Sequence, residues 1–410
     1  VDRREPGHHL TPLPYGRQWI DDADVAAVVE CLRGDWLTQG PTVERFEQAL
    51  CEATGAKFAV AVASGTAALH LAALASGVGP GDTGVTASIT FTASANCIAY
   101  CGGEPHFADV VPDTGLIDLT SLATRVDELT RVGRPRKLIV PVDFAGQPAA
   151  LPGVRAIAER CGAKVVSDAA HSLGAAYTYA GETFRSGSCV HSDAAILSFH
   201  PVKNVTTGEG GAVLTNDPQL AGKIRDLRSH GIHRDPIRLT RPDEGPWYYE
   251  QDALGYHYRI SDLQCALGLS QLKKLGRFVE RRNEIAERYH AAFARAPFAG
   301  WLLPLRTLPT TVTHAYHLHA VGLIRRTGEA LENLAARRKA CYLALRERKI
   351  FTQVHYIPVP MQPYYRDRAD ELGQGASAYY AGCLSLPMFP KMDDADVDRV
   401  VEAMAEQVGS

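Results

Sequence analysis

Short apolar runs alternate with helical patterns over the first two-thirds of the chain. Lys57–Ala63 (KFAVAVA) reads as a buried strand, and after Ser64-Gly65-Thr66 an Ala/Leu-rich stretch predicts a helix to about Ala75. Lys137–Val142 (KLIVPV), Lys164–Ser167 (KVVS), Ala194–Phe199 (AAILSF) and Gly211–Thr215 (GAVLT) continue the strand series, with a helix predicted around Leu151–Arg160. Strands separated by helices imply parallel pairing through right-handed crossovers. The expected fold is therefore α/β, a mostly parallel sheet covered by helices on both faces.

After Ser261 the pattern changes. Ser261–Gly276 begins a long helical pattern, and Phe278–Ala294, rich in Arg and Glu, extends it. Strand candidates follow near Ala320 and at Thr352–Ile357, and the amphipathic stretch from Asp393 to about Val408 predicts a closing helix. The division this implies is a polar tail over 1–14, a large domain over 15–265 and a smaller C-terminal α+β domain over 266–410. A length of 410 residues agrees, being too great for one ordinary core.

Composition narrows the functional classes. A net charge of -3 gives no bulk attraction for nucleic acid or an anionic membrane. No apolar run approaches the roughly 20 residues of a membrane helix. The nine cysteines are scattered without a framework spacing, and Cys97 with Cys101 is the only close pair. Reduced thiols in a cytoplasmic protein are the expectation, with no metal site.

Candidate chemistry collects at the predicted strand ends. Ser64-Gly65-Thr66 follows a strand and opens a helix, where free N–H groups and hydroxyls suit a phosphate; a plain helix cap is the alternative. Asp168, in SDAAH, ends another strand and points toward the crevice where α/β folds bind ligands, with His171 beside it. Lys203, in SFHPVKNVTTGEGGA, follows a third strand end in an irregular segment. A lysine there can form an imine with an aldehyde cofactor, or bind phosphate, or lie on the surface. Neither a Walker pattern nor a GxGxxG fingerprint is present. A phosphate cradle, an acid and a lysine are together what pyridoxal 5'-phosphate (PLP) requires.

These segments, with WLTQGP (Trp36–Pro41), ITFTASAN (Ile89–Asn96), QVHYIP (Gln353–Pro358) and LSLPMFP (Leu384–Pro390), resemble the DegT/DnrJ/EryC1/StrS group of fold-type I nucleotide-sugar aminotransferases. The resemblance runs from about Tyr15 to the C-terminus. The motif SFHPVKNVTTGEGGAVLTND is most similar to the pseudaminic-acid branch, which aminates C4 of a UDP-linked 4-keto-6-deoxy-N-acetyl-altrosamine, and next to the UDP-4-amino-4-deoxy-arabinose branch. The resemblance implies that Lys203 binds PLP and moves the proton, that Asp168 pairs with the ring nitrogen, and that His171 lies near the phenolic oxygen. Gly65, Thr66 and Ser198 would hold the phosphate, and Phe91 would stack on the ring. Many members carry Asn in a GYNYR segment that reaches a neighbouring subunit's phosphate. Here it reads Gly255-Tyr256-His257-Tyr258-Arg259, so His257 or Arg259 would take that role in a homodimer with shared active sites.

The implied reaction runs in two halves, with L-glutamate as amino donor and a UDP-linked keto sugar as acceptor. Other acceptors, a 3-keto sugar or a cyclitol, stay open, as does a non-catalytic regulatory protein on this fold. Members that lost the lysine are dehydratases, which the presence of Lys203 opposes. His314, His317 and His319 are expected to serve packing or substrate contact, and Arg234–Glu250 is a candidate mobile loop over the nucleotide.

Overall fold

Alternation of side chains along the strands divides the core in two at the central sheet. In the computed structural model, which describes residues 11–408, that sheet takes β1 (Phe58–Val62), β2 (Thr83–Ala87), β3 (Glu104–Ala108), β4 (Arg136–Val140) and β5 (Lys164–Asp168). A hairpin, β6 (Ala176–Tyr179) and β7 (Glu182–Arg185), lies outside it, and β8 (Ala194–Ser198) and β9 (Gly211–Thr215) complete it. The strand order is β1-β9-β8-β5-β4-β2-β3. Val60 and Val62 pack with the helices Gly65–Ala75 and Pro218–Arg228. Ala59 and Ala61, one residue out of phase, pack with Pro41–Thr54. β8 divides likewise, Ile196 to one side and Ala195 and Leu197 to the other, so both faces are covered.

The parallel expectation holds for β2, β3, β4, β5 and β8. It needs correcting at β9, which runs antiparallel to both β8 and β1. Parallel strands need a crossover, usually a helix, and the segment between Ser198 and Gly211 contains none. The return is therefore direct, and Lys203 sits inside it.

The long helix expected after Ser261 is two helices, Asp262–Leu272 and Leu275–Phe293. Lys274 stands at the break, its ammonium paired with Asp21 at 2.7 Å and with the buried Asp24 at 2.6 Å. The first helix packs on Asp22–Arg33 and Pro41–Thr54; the second gives Ile285, Ala286, Tyr289 and Phe293 to a second core. That core includes the three-stranded sheet Leu302–Pro304, His319–Leu323 and Cys383–Leu386, the long helix Leu331–Glu347 and the closing helix Asp394–Ala405.

The expected strand at Thr352–Ile357 is absent. Only Gln353 pairs, with Ser385, before the chain turns toward the site. Residues 1–10 of the expected tail lie outside the described residues. Leu13 is buried, and its backbone bonds to Lys349 and Phe351 of the second unit. All nine cysteines are free thiols, and no described helix is long and apolar enough to cross a membrane.

Candidate active site

Three strand ends open onto one cavity of about 620 Å³. After β1, Ser64 turns the chain into the helix Gly65–Ala75, its hydroxyl accepting from Ala67 N–H at 3.1 Å. Gly65 and Thr66, at the start of this helix, line the cavity. A Cβ on Gly65 would lie 2.9 Å from Ser198 Cβ, so only glycine lets the helix start approach the end of β8 this closely. Gly211 supports the same turn, because a side chain there would run into the Ser64 carbonyl. The result is a pocket for an anion, framed by Gly65, Thr66 and Ser198.

Asp168 ends β5 and is 6 % exposed. Its Oδ2 accepts from Ser94 Oγ at 2.6 Å and its Oδ1 from Ala170 N–H at 3.2 Å. Burial raises the carboxyl pKa, against the pull of those two bonds and of the Lys203 charge. Ser94 is held by Thr90 at 2.7 Å.

Lys203 lies in the return from β8, its N–H bonded to His200 O at 2.9 Å. Asn204 fixes the next step by donating to the carbonyls of Leu173 and Ala315, each at 3.1 Å. The residue is half-buried, and its amine makes no side-chain hydrogen bond or ion pair among the described residues. Protein packed around the amine lowers its pKa to about 8, with the Asp168 charge pulling upward. A lowered pKa leaves more of the amine unprotonated near neutrality than in an ordinary lysine, and that fraction is a nucleophile and a base.

The opposite wall comes from the far end of the chain. His171 packs against His317 with ring centres 4.3 Å apart and planes tilted by 43°, and Tyr356 Oη lies 3.3 Å from His171 Nε2. Burial, and after it the Lys203 charge, holds His171 and His317 well below the usual imidazole range and His355 at about 3. These imidazoles are neutral at pH 7, and His171 Nδ1 is buried without a partner. Phe91 is 57 % exposed at the cavity, 6.1 Å from the Tyr356 ring.

The structure thus brings together Gly65, Thr66, Phe91, Asp168, His171, Ser198 and Lys203. It places His257 and Arg259 outside the cavity lining. His257 pairs with Ser229, and Arg259 pairs with Val62 and keeps a buried Nε without a partner. The three histidines of HAYHLH diverge: His314 stacks on Tyr316, His319 on Tyr289, and His317 alone lines the cavity. Sequence reasoning missed Tyr15, Thr90, Ser94 and His200 as residues at or beside the site. Thr90 lies in the bend before the helix Ala93–Tyr100 and Ser94 in its first turn, and no local pattern announced that their hydroxyls meet.

These residues fit PLP. The anion pocket that a Cβ would fill, an unpaired amine, a buried carboxylate and the free His171 Nδ1 match its phosphate, aldehyde, ring nitrogen and phenolic oxygen.

Comparison with known proteins agrees. A family model described as the DegT/DnrJ/EryC1/StrS aminotransferase family matches residues 18–405. The chain is 39% identical over 400 residues to the spore coat polysaccharide biosynthesis protein SpsC of Bacillus subtilis, covering 97% of both. Helicobacter pylori PseC, an aminotransferase of pseudoaminic acid biosynthesis, superposes with a TM-score of 0.84 at 29% identity, over 97% of this chain and 99% of that one. The putative sugar aminotransferase Spr1654 of Streptococcus pneumoniae, in its PLP form, gives 0.83 at 27% identity over 97% and 99%. The chain belongs to the DegT/DnrJ/EryC1/StrS aminotransferase family and is a PLP-dependent aminotransferase.

Proposed function

We propose that the chain transfers an amino group from L-glutamate to C4 of a UDP-linked 4-keto-6-deoxy sugar, of the UDP-4-amino-4,6-dideoxy-N-acetyl-altrosamine type. The observation that carries this reading is the amine of Lys203, unpaired, with its pKa lowered to about 8, in one cavity with Asp168 and the Gly65–Thr66 turn. PLP, when bound, supplies the electron sink for the carbon that loses its proton and carries nitrogen from donor to acceptor. Asp168 would hold a proton on the ring nitrogen, Gly65, Thr66 and Ser198 would bind the phosphate, and Phe91 would pack against the ring. Lys203 Nζ takes the proton from the substrate carbon and returns it, the same amine serving both halves.

Support for a sugar acceptor comes from the likeness to PseC and SpsC and from the outer cavity, where Gln353 and Gln362 offer amides suited to hydroxyl groups. We further propose a homodimer in which His257 or Arg259 reaches the neighbouring subunit's cofactor phosphate. The buried, unpaired Arg259 Nε supports this, as does the exposure of Trp247 and Leu254 nearby in sequence.

The test is an absorption spectrum with PLP before and after L-glutamate, beside Lys203→Ala, followed by product analysis on a panel of UDP-keto sugars. A lysine-dependent yellow band that bleaches with glutamate, and a 4-amino product, support the reading. Amination of a 3-keto sugar or a cyclitol alone would replace the acceptor, and no band at all would remove the central claim.

A further inference from the structure

Behind the cavity wall lies a carboxylate with no part in the chemistry above. Asp143 is fully buried, and its backbone N–H and both carboxylate oxygens are hydrogen-bonded. Its backbone N–H donates to the Asp168 carbonyl at 3.0 Å. Its Oδ2 accepts from Ser172 Oγ at 2.6 Å and from Ser186 Oγ at 2.9 Å, and its Oδ1 accepts from Ala149 N–H at 2.9 Å. Ser172 in turn closes the tight turn that begins at Asp168, its N–H donating to Ala169 O at 3.0 Å.

One residue therefore grips both ends of the segment Asp168–Ser172, its main chain at the first residue and its side chain at the last. Between those ends the segment presents the Asp168 carboxylate and the His171 ring to the cavity. Burying a carboxylate costs several kcal/mol unless it is well bonded. Here it accepts from two buried hydroxyls and one backbone N–H, which offset that cost.

We propose that Asp143 is a positioning residue for the reaction, setting the orientation of Asp168 and His171 through the Ser172 hydroxyl. The proposal rests on the reading that Asp168 and His171 face the cofactor. Ser186 belongs to another segment; it bonds the same carboxylate and lies 2.5 Å from the Ser172 hydroxyl, so its removal loosens the surroundings while leaving the Asp143–Ser172 bond itself in place. The turn is the path of the effect.

The readout is the pH at which the lysine-dependent PLP absorbance titrates, taken without substrates. That midpoint follows the ring charge, which Asp168 controls. Asp143→Ala and Ser172→Ala are expected to move it by about half a pH unit or more and to lower kcat at least about tenfold with little change in KM. Asp143→Asn, which keeps an acceptor and the shape, is expected to restore most of the shift, and Ser186→Ala to leave the midpoint in place. If Asp143→Ala fails to fold, the two serine variants decide. A Ser172→Ala midpoint equal to that of the wild type overturns the proposal, as does an equal shift in Ser186→Ala. A wild-type absorbance independent of Lys203 overturns the underlying reading instead, and is recognised by that control.

Discussion

Ser94 donates a 2.6 Å hydrogen bond to Asp168, and it is the one side-chain donor that reaches this buried carboxylate among the described residues. The bond favours the ionised form against the burial that raises the pKa. Only the ionised form can hold a proton on a ring nitrogen, so in the proposed function Ser94, from the helix Ala93–Tyr100, acts through Asp168.

Ser94→Ala should therefore weaken PLP binding. A hydrogen bond to a charged group is worth about 1.5–3 kcal/mol, or roughly tenfold or more in affinity. The loss should be larger at pH 6 than at pH 8, since the Asp168 carboxyl rises further and protonates first at the lower pH. Titration of the stripped protein with PLP at both values checks this; equal affinities at both would contradict it.

Lys203→Met should stabilise the cofactor-stripped protein at neutral pH. The folded pKa of about 8 lies below the unfolded value of about 10.4. Between those values the unfolded chain binds more protons, so wild-type stability rises with pH there, and below about 8 the full cost remains. That cost is about 3 kcal/mol as an upper bound. Urea melts should show the variant ahead at pH 7 and the gap closed by about pH 10.5, whereas a constant gap would point to packing rather than charge.

Gly65→Ala drives a methyl group against Ser198 Cβ. A loss of about 1–3 kcal/mol and weaker PLP binding are expected. Adding Ser198→Gly removes the atom in the way, so the double variant should regain part of the lost Tm. No recovery would place the strain elsewhere.

Shared active sites make a distinct forecast. Lys203→Ala and Arg259→Ala, each inactive alone, should recover about a quarter of wild-type activity when refolded together in equal amounts, because half the dimers are mixed and each carries one intact site. Absence of recovery would assign Arg259 to its own subunit or to the fold.

The Arg234–Glu250 segment exposes Ile237 at 94 % and Trp247 at 71 %. If it closes over the nucleotide, the acceptor UDP-sugar should slow tryptic cleavage within it several-fold while L-glutamate leaves it unchanged. Identical digestion patterns would remove the loop from substrate binding.

Much of the large unit was legible because its strands carry near-continuous apolar runs; Gly211–Thr215 was bounded to the residue. The direction of that strand was not, since apolar content says nothing about which way a buried strand runs. The missing helix between Ser198 and Gly211 was the only indication. Lys203, Asp168 and the Ser64 turn were readable as strand-end chemistry. Asp143 was not, because its importance comes from neighbours distant in sequence, and for His317 and Tyr356 the sequence left packing and a place at the site as alternatives. Asp143 meets Ser172 and Ser186, and Tyr356 meets His171 across 185 residues. The break at Lys274 was hidden likewise, set by ion pairs to Asp21 and Asp24 that no local pattern announces.

The cavity wall formed by His317, His355 and Tyr356 has a consequence for biosynthesis. A nascent chain grown only as far as Gly211 already carries the phosphate turn, Asp168 and Lys203, yet has none of that wall, and Leu13 has no Ile350 to pair with. Domains generally fold from the N-terminus as they emerge. Here the pocket wall is complete only when the last quarter of the chain arrives, so the cofactor pocket is finished late in synthesis.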